Sequence, residues 1–489
     1  MTSDVPTIAT ILERRRVESP EDLAFVFGND SLTYGRLAEE AEDIARELVA
    51  DGIERGDRVA LVLPAGLDLV CLFYALQRIG AVPCIVDPHL PAPARDRRIA
   101  SIRPRLTLTA RPAAQHRAAS LPPVFDDPNA PAFLQYTSGT TGEPLAAIVL
   151  QRNVMASLHS IEERIDPGPN DVLVGWVPPW HDLGLLRFLI APVSFGRPCH
   201  LIPPAVRTIP QWLRTIADVR GTITGAPDFA WRLATRLVDG AAVDLRSLRW
   251  ATNGGEPVRA STIAAFENHF RVRNVLCAGY GLAEATLGVS TARPAEEIRA
   301  DDRGNVSTGK PLKDVRVRIE HDEILLQGPT VFAGYVDAGE ATAAALRDGW
   351  LHTGDAGYLD NEGNLYVFGR ARAMIKRGGL TLAPREIEEA AQSVPGVRLA
   401  AAVGVPSDLT EEIAVVVETE EHHSSIERSV ASAIERAIGF APDRVLVQPP
   451  RTIARTANGK IRYAVLRDQL TPSRFRSNPS VISEGASRR

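Results

Sequence analysis

Two short apolar runs, 58–63 (RVALVL) and 80–86 (GAVPCIV), bracket a segment at 67–78 whose apolar residues fall at helical spacing. This arrangement constrains the fold more than any other feature. Runs of this length suit strands, and a crossover through a helix leaves the two strands parallel, because only an antiparallel pair can be joined by a tight turn. Strand and helix alternate again through 99–109, 172–177, 202–236 and 245–270, so the class predicted is α/β with doubly wound sheets. Upstream, Thr33 is placed to cap a helix that buries Leu37, Ala41, Ile44, Ala45 and Leu48 on one face and ends before Gly52.

From Arg316 the texture changes to short alternating strands at 317–319, 323–327, 350–355 and 364–370, which predict a small β-barrel-like part. Beyond it, a helix opening on Pro384, strands at 399–405 and 413–419, a helix at 425–438 and a strand at 445–448 predict a separate α+β unit of ordinary domain size. The expected organisation is therefore 1–369, then a small domain at 370–470, then a polar Ser/Arg-rich tail at 471–489 that reads as disordered.

A formal charge of −5 gives no electrostatic reason to expect nucleic acid or an anionic membrane as partner. Cys71, Cys84, Cys199 and Cys277 lie far apart with no CxxC pair, so neither a disulfide framework nor a zinc site is indicated, and a reducing cytoplasm is the expected setting. The most apolar region, 61–86, is interrupted by Pro64, Gly66, Asp68 and Pro83, and residues 1–9 lack a basic start and an apolar core; no membrane span and no leader is expected.

Chemistry concentrates in 134–146 (LQYTSGTTGEPLA), where an apolar strand runs into Thr137, Ser138, Gly139, Thr140, Thr141 and Gly142. Glycines let backbone N–H groups turn toward a ligand, and hydroxyls add donors, so such a loop can surround phosphate oxygens. Alone it is more often a solvated polar turn, and it lacks the Gly-Lys-Ser/Thr of a Walker loop. Further on, a polar cluster interrupts apolar runs at 178–185 (PPWHDLGL), two glycines and a proline follow a strand at 253–259 (NGGEPVR), and Glu284 follows another within 275–287 (VLCAGYGLAEATL). Ligands of open α/β sheets gather beyond such strand ends, although a single His or Glu is more often ordinary structure or surface.

Together these segments resemble the adenylate-forming superfamily of acyl-CoA synthetases, acyl-AMP ligases and peptide-synthetase adenylation domains. YTSGTTGEP is similar to its phosphate loop, NGGEP to its adenine segment, GYGLAEAT to its Tyr-Gly-x-x-Glu motif, HTGD to its ribose-binding aspartate, GRARAMIKRGG to its hinge and RTANGKIR to its catalytic-lysine motif, all in the family's order. Within the superfamily the wording is nearest to fatty acyl-AMP ligases, through LPAGLDLV, WHDLGL, APDFAWRL and YGLAEATL. Two departures stand out. Only residues 288–307 separate YGLAEATL from TGKPL, where those ligases carry a long insertion, and Leu145 and Ala146 stand where the family has a lysine and a glycine.

The resemblance implies attack of a substrate carboxylate on the α-phosphorus of ATP, then transfer of the acyl group to a phosphopantetheine thiol. It assigns catalysis to Lys460 and Glu284, with Mg²⁺ on Glu284; ATP contacts also to Thr137, Ser138, Gly139, Thr140, Thr141, Gly142, Gly255, Glu256, Pro257, Tyr280, Gly281, Asp355 and Arg370; a substrate pocket to His181, Asp182, Phe229, Gly254 and Gly279; and a hinge to Arg372. An aspartate near Asp182 binds the substrate amine in amino-acid adenylation domains, but acyl-AMP ligases also carry His-Asp there. The expected activity is that of a ligase loading a medium or long fatty acid onto an acyl carrier protein; an acyl-CoA ligase using free CoA is the alternative. A non-catalytic nucleotide-binding homologue, suggested by Leu145 and Ala146, is opposed by the retention of Glu284, Asp355, Arg370 and Lys460.

Overall fold

The computed structural model describes residues 5–113, 120–137, 145–294, 296, 298–302, 304–377, 380–407, 411–420, 424–455 and 461–471. Its chain contacts divide it into two compact units, one of residues 1–353 and 357–367, the other of 354–356 and 368–489.

The first unit is built on two sheets of parallel strands. In the larger, six parallel strands in the order Leu276–Leu282, Trp250–Gly254, Ile223–Ala226, Leu173–Gly175, Cys199–Leu201 and Leu23–Phe27 are flanked by an antiparallel strand at each edge, Leu287–Thr291 and Asp30–Thr33. The smaller runs Leu106–Leu108, Arg58–Leu61, Val82–Ile85, Pro131–Tyr136, with Ala146–Leu150 returning antiparallel. The helix Leu67–Ile79 makes the crossover that the sequence predicts, and Gly80 closes it in the left-handed conformation (φ +73°) that glycine adopts without strain. Thr33 caps Tyr34–Ala50 by accepting the Arg36 N–H, and the predicted stripe from Leu37 to Leu48 is buried.

Side chains of the larger sheet alternate between two cores. Leu173, Ile223, Trp250 and Cys277 enter one; Val174, Ala226, Ala251 and Ala278 enter the other. A run of rings fills the second core: Trp176 stacks on Trp212 (centroids 5.5 Å apart), Trp212 meets Trp231 at 4.8 Å, and Trp231 meets Phe266 edge-on at 4.9 Å. Each indole N–H has a partner: Trp176 donates to Thr208 Oγ1, Trp212 to Thr224 Oγ1 and Trp231 to the Ala226 carbonyl. All four cysteines are buried in this unit, and burial pushes the thiols of Cys71 and Cys84 up to about 12 and those of Cys199 and Cys277 higher still.

A third, curled sheet orders Arg316–Glu320, Glu323–Gln327, Trp350–Leu359 and Leu346–Arg347, with Leu365–Arg370 paired to Trp350–Leu359. The second unit has its own core, in which Val397–Pro406, Glu411–Thr419 and Arg444–Gln448 form a sheet covered by Pro384–Gln392 and Ser424–Ile438. No described helix is long and apolar enough to cross a membrane. The tail expected at 471–489 lies, after Thr471, outside the described residues.

Candidate active site

Strand register assembles the site from segments far apart in sequence. Ala226 pairs with Asn253, Asn253 with Ala278 and Gly254 with Gly279, so the parallel pairing of three strands ends side by side and leads at one edge into 227–229, 255–259 and, past Leu282, Glu284. This is where an open α/β sheet binds its ligand.

The strand Leu276–Leu282 must turn sharply to present Glu284. Gly281 lies against the returning strand so closely that a Cβ there would sit 1.6 Å from the Leu287 carbonyl oxygen. The following 3-10 turn, Ala283–Ala285, ends in Thr286 and Leu287 at φ +51° and +79°, a region disfavoured for residues with a Cβ. Fully buried Thr286 holds that backbone in place: its hydroxyl donates to the Thr330 carbonyl (2.6 Å), and its own carbonyl accepts from Ser157 (2.6 Å). Glu284, half-buried, accepts the Tyr335 hydroxyl at 2.8 Å. Tyr335 bridges to Ala147, and Val336 N–H donates to the Ala146 carbonyl, so the glutamate is tied to the strand that leaves the serine- and threonine-rich loop.

That loop connects the antiparallel pair Pro131–Tyr136 and Ala146–Leu150, and its neck is closed by Thr137 N–H donating to the Leu145 carbonyl at 3.0 Å. Ser138, Gly139, Thr140, Thr141 and Gly142 lie outside the described residues. Buried Gln135 donates to the Trp180 carbonyl at 2.8 Å and so joins the loop's first strand to 178–185. In that segment Asp182 accepts the Leu183 N–H (2.7 Å) and opens a π-helix, Leu183–Ile190; Gly184 is required because a Cβ would meet the Pro178 carbonyl at 2.0 Å. His181 and Asp182 are half-buried at its mouth.

The NGGEP segment is anchored through a residue of the APDFAWRL segment to which the sequence reading assigned no role. Asp228, 1% exposed, accepts from Asn253 Nδ2 (3.1 Å), Arg259 N–H (3.1 Å) and Thr262 Oγ1 (2.9 Å), and pairs with Arg232 at 3.3 Å. Glu256 accepts the Phe229 N–H at 2.6 Å, which satisfies a first-turn donor of the helix Asp228–Leu237. Gly255 and Pro257 are exposed, while Tyr280 and Gly281 are half-buried. Phe229 stands 6.3 Å from Trp176 and packs on the second core, whereas Gly254 and Gly279 lie on the sheet face that fronts the first, so the structure divides the predicted pocket residues between two faces.

In the second unit Arg370 Nε pairs with Asp355 at 3.2 Å, and Arg372 is exposed in a 3-10 turn, Ala371–Ala373, two residues after Gly369 at φ +129°. Lys460 lies outside the described residues. Two arginines could replace the cation missing at Leu145, and both are engaged elsewhere: Arg152 donates to Asn129 on the surface, and Arg377 holds Asp443 (2.9 Å) and the Glu411 carbonyl (3.2 Å). Among the described residues no three His, Cys, Asp or Glu side chains gather as metal ligands. Mg²⁺ held through one carboxylate and a nucleotide's phosphates needs no such group, and Glu284 fits that role.

A family model described as AMP-binding enzyme matches residues 12–122 and 110–336. The chain is 30% identical over 512 residues to Rv1013 of Mycobacterium tuberculosis, provisionally named a ligase, across 88% of this chain and 93% of that one. It is 28% identical over 575 residues to the long-chain-fatty-acid–AMP ligase FadD26 of the same species, across 96% and 98%. A structure from a study of fatty acyl-adenylate ligases of E. coli and L. pneumophila superposes with a TM-score of 0.85 at 27% identity, covering 96% of this chain and 98% of that one.

Proposed function

The chain belongs to the AMP-binding enzyme family, and from that premise we propose that it activates a carboxylic acid with ATP, releasing pyrophosphate, and passes the acyl group to the phosphopantetheine thiol of an acyl carrier protein. The observation that carries this reading is Glu284, set beyond the end of a parallel strand and tied by Tyr335 to the strand leaving the 137–145 loop. The loop and Thr137 orient the phosphates. The Gly254–Gly255 and Gly279–Gly281 segments offer backbone for adenine beside Tyr280, and Asp355, aligned by Arg370, accepts from the ribose hydroxyls. Mg²⁺ on Glu284, when bound, neutralises phosphate charge. Lys460 bridges the attacking carboxylate and the α-phosphate as charge moves to the leaving pyrophosphate. The small domain at 370–470 then rotates about Arg372 so that a thiol replaces the lysine.

Carboxylate-dependent exchange of labelled pyrophosphate into ATP tests the first half-reaction, and its absence with every acid would leave only a nucleotide-binding protein. The second half-reaction has a competing acceptor, free CoA, favoured by the short 288–307 connection. Incubation with ATP, acid and either CoA or a holo carrier protein separates the two, and preferential formation of the CoA thioester would make free CoA the acceptor instead.

Leu145 removes a cation from the phosphate loop, and neither Arg152 nor Arg377 is available without breaking its present contacts. Restoring it with Leu145→Lys is expected to tighten ATP about 10- to 100-fold, the worth of one charge-assisted hydrogen bond. ATP binding by calorimetry checks this; unchanged affinity together with a large loss in Arg152→Ala or Arg377→Ala would mean that the charge has been relocated.

A further inference from the structure

The π-helix Leu183–Ile190 lies on the face of the larger sheet that carries Gly175, Gly225 and Cys277, in one stripe with Thr252, Gly254 and Gly279. Every side chain in that stripe is small, and the helix lies close upon it: a Cβ on Gly175 would meet Phe188 at 2.7 Å, and one on Gly225 would lie 3.7 Å from the tip of the same ring. Among these apolar neighbours sits Arg187, 5% exposed, with Leu185, Leu186, Phe188, Leu189 and Ile190 all in the surrounding core. Its Nε and Nη1 find no hydrogen-bond partner among the described residues. No described carboxylate pairs with it, and its titratable neighbour on the small-residue face, the Cys277 thiol, is held neutral by burial. Burial lowers its pKa only to about 10, so the guanidinium remains protonated at neutral pH.

An uncompensated buried cation is among the costliest arrangements a core can hold; buried charges are as a rule paired, and an anion carried by a ligand would supply the partner here. The helix also fixes how deep that anion would sit. In i→i+5 geometry a residue five positions on returns to the same side, so Arg187 lies about one turn, on the order of 5 Å, below Asp182 at the mouth.

We propose that Arg187 is a specificity-determining residue that receives a second oxyanion on the acid being activated, so that the substrate is a short dicarboxylate rather than an unsubstituted fatty acid. The proposal rests on the adenylation reading and narrows its substrate. The planar fork of the guanidinium matches a carboxylate through paired N–H donors.

The test is pyrophosphate exchange with succinate, glutarate and adipate beside butyrate, hexanoate and octanoate, for the wild-type chain, Arg187→Met and Arg187→Lys. The wild type is expected to favour a dicarboxylate over the monocarboxylate of equal length by about 100-fold or more, as when a site built to bind a polar group rejects the analogue lacking it. Arg187→Met should lose that preference and accept the monocarboxylate, and Arg187→Lys should keep part of it. Because the wild-type panel is read by itself, misfolding of a variant does not shelter the proposal. Exchange with hexanoate or octanoate and none with any dicarboxylate overturns the proposal while leaving adenylation standing. Exchange with no acid at all overturns both.

Discussion

Replacing Lys460 with alanine is expected to lower acyl-adenylate formation ~10²- to 10³-fold, the usual loss when one preorganised transition-state contact is removed, while thioester formation from supplied acyl-adenylate continues. The physical reason is that two anions must meet. A carboxylate approaching the α-phosphate of ATP is repelled until positive charge bridges them, and this chain has Leu145 where the loop motif it resembles has a lysine. On the proposed mechanism more of the burden therefore falls on Lys460. Once the adenylate exists the repulsion is gone, and in the proposed rotation the thiol takes the space that the lysine held. Exchange of pyrophosphate into ATP measures the first step, and thiol-dependent consumption of synthetic acyl-adenylate measures the second. Equal loss in both would mean that no rotation separates the half-reactions.

The largest loss of stability is expected from Asp228→Ala. This side chain accepts three hydrogen bonds and faces an arginine while 1% exposed, so its removal strands Asn253, Thr262, the Arg259 N–H and Arg232 together. Breaking one partner out of a buried charged network typically costs about 3 to 5 kcal/mol. Asn253 begins the NGGEP segment and Glu256 caps the helix that Asp228 opens, so the adenine side of the site should fail with it. A lowered unfolding midpoint in urea, together with weakened ATP binding in the protein that remains folded, is the expected pair of results. A variant of wild-type stability would show that Asp228 does not organise this region.

Asp228 also illustrates what the sequence withheld. An acid at the start of a helix is ordinary complementation of the helix dipole, and nothing local distinguishes it from an acid on which a strand end, a loop and a second helix converge. Tyr335 is hidden for a similar reason, since the segment carrying it has no period, yet it ties Glu284 to the phosphate-loop hairpin. The π-helix at 183–190 is apolar at every position but Arg187, so no face could be read from it, and the arginine gives no sign of being buried. By contrast the helix capped by Thr33, the Leu67–Ile79 crossover and the strands of the second unit were legible, because short apolar runs, spacing and turn residues agree there. The motifs were legible as words in order; their three-dimensional partners were not, because hydrogen bonds across 25 to 51 residues leave no local trace.

The four cysteines have a practical consequence. Thiol reagents and oxidants act on the thiolate, and Cys71, Cys84, Cys199 and Cys277 are at most 2% exposed with their thiols held protonated by burial. The native chain is therefore a silent background for maleimide chemistry. Ser261 and Ser429 are exposed on helices of different units, and serine to cysteine changes one atom. A dye pair placed at these two positions would report, without removing any native residue of the core, the distance between the units as ATP, acid and thiol are added in turn.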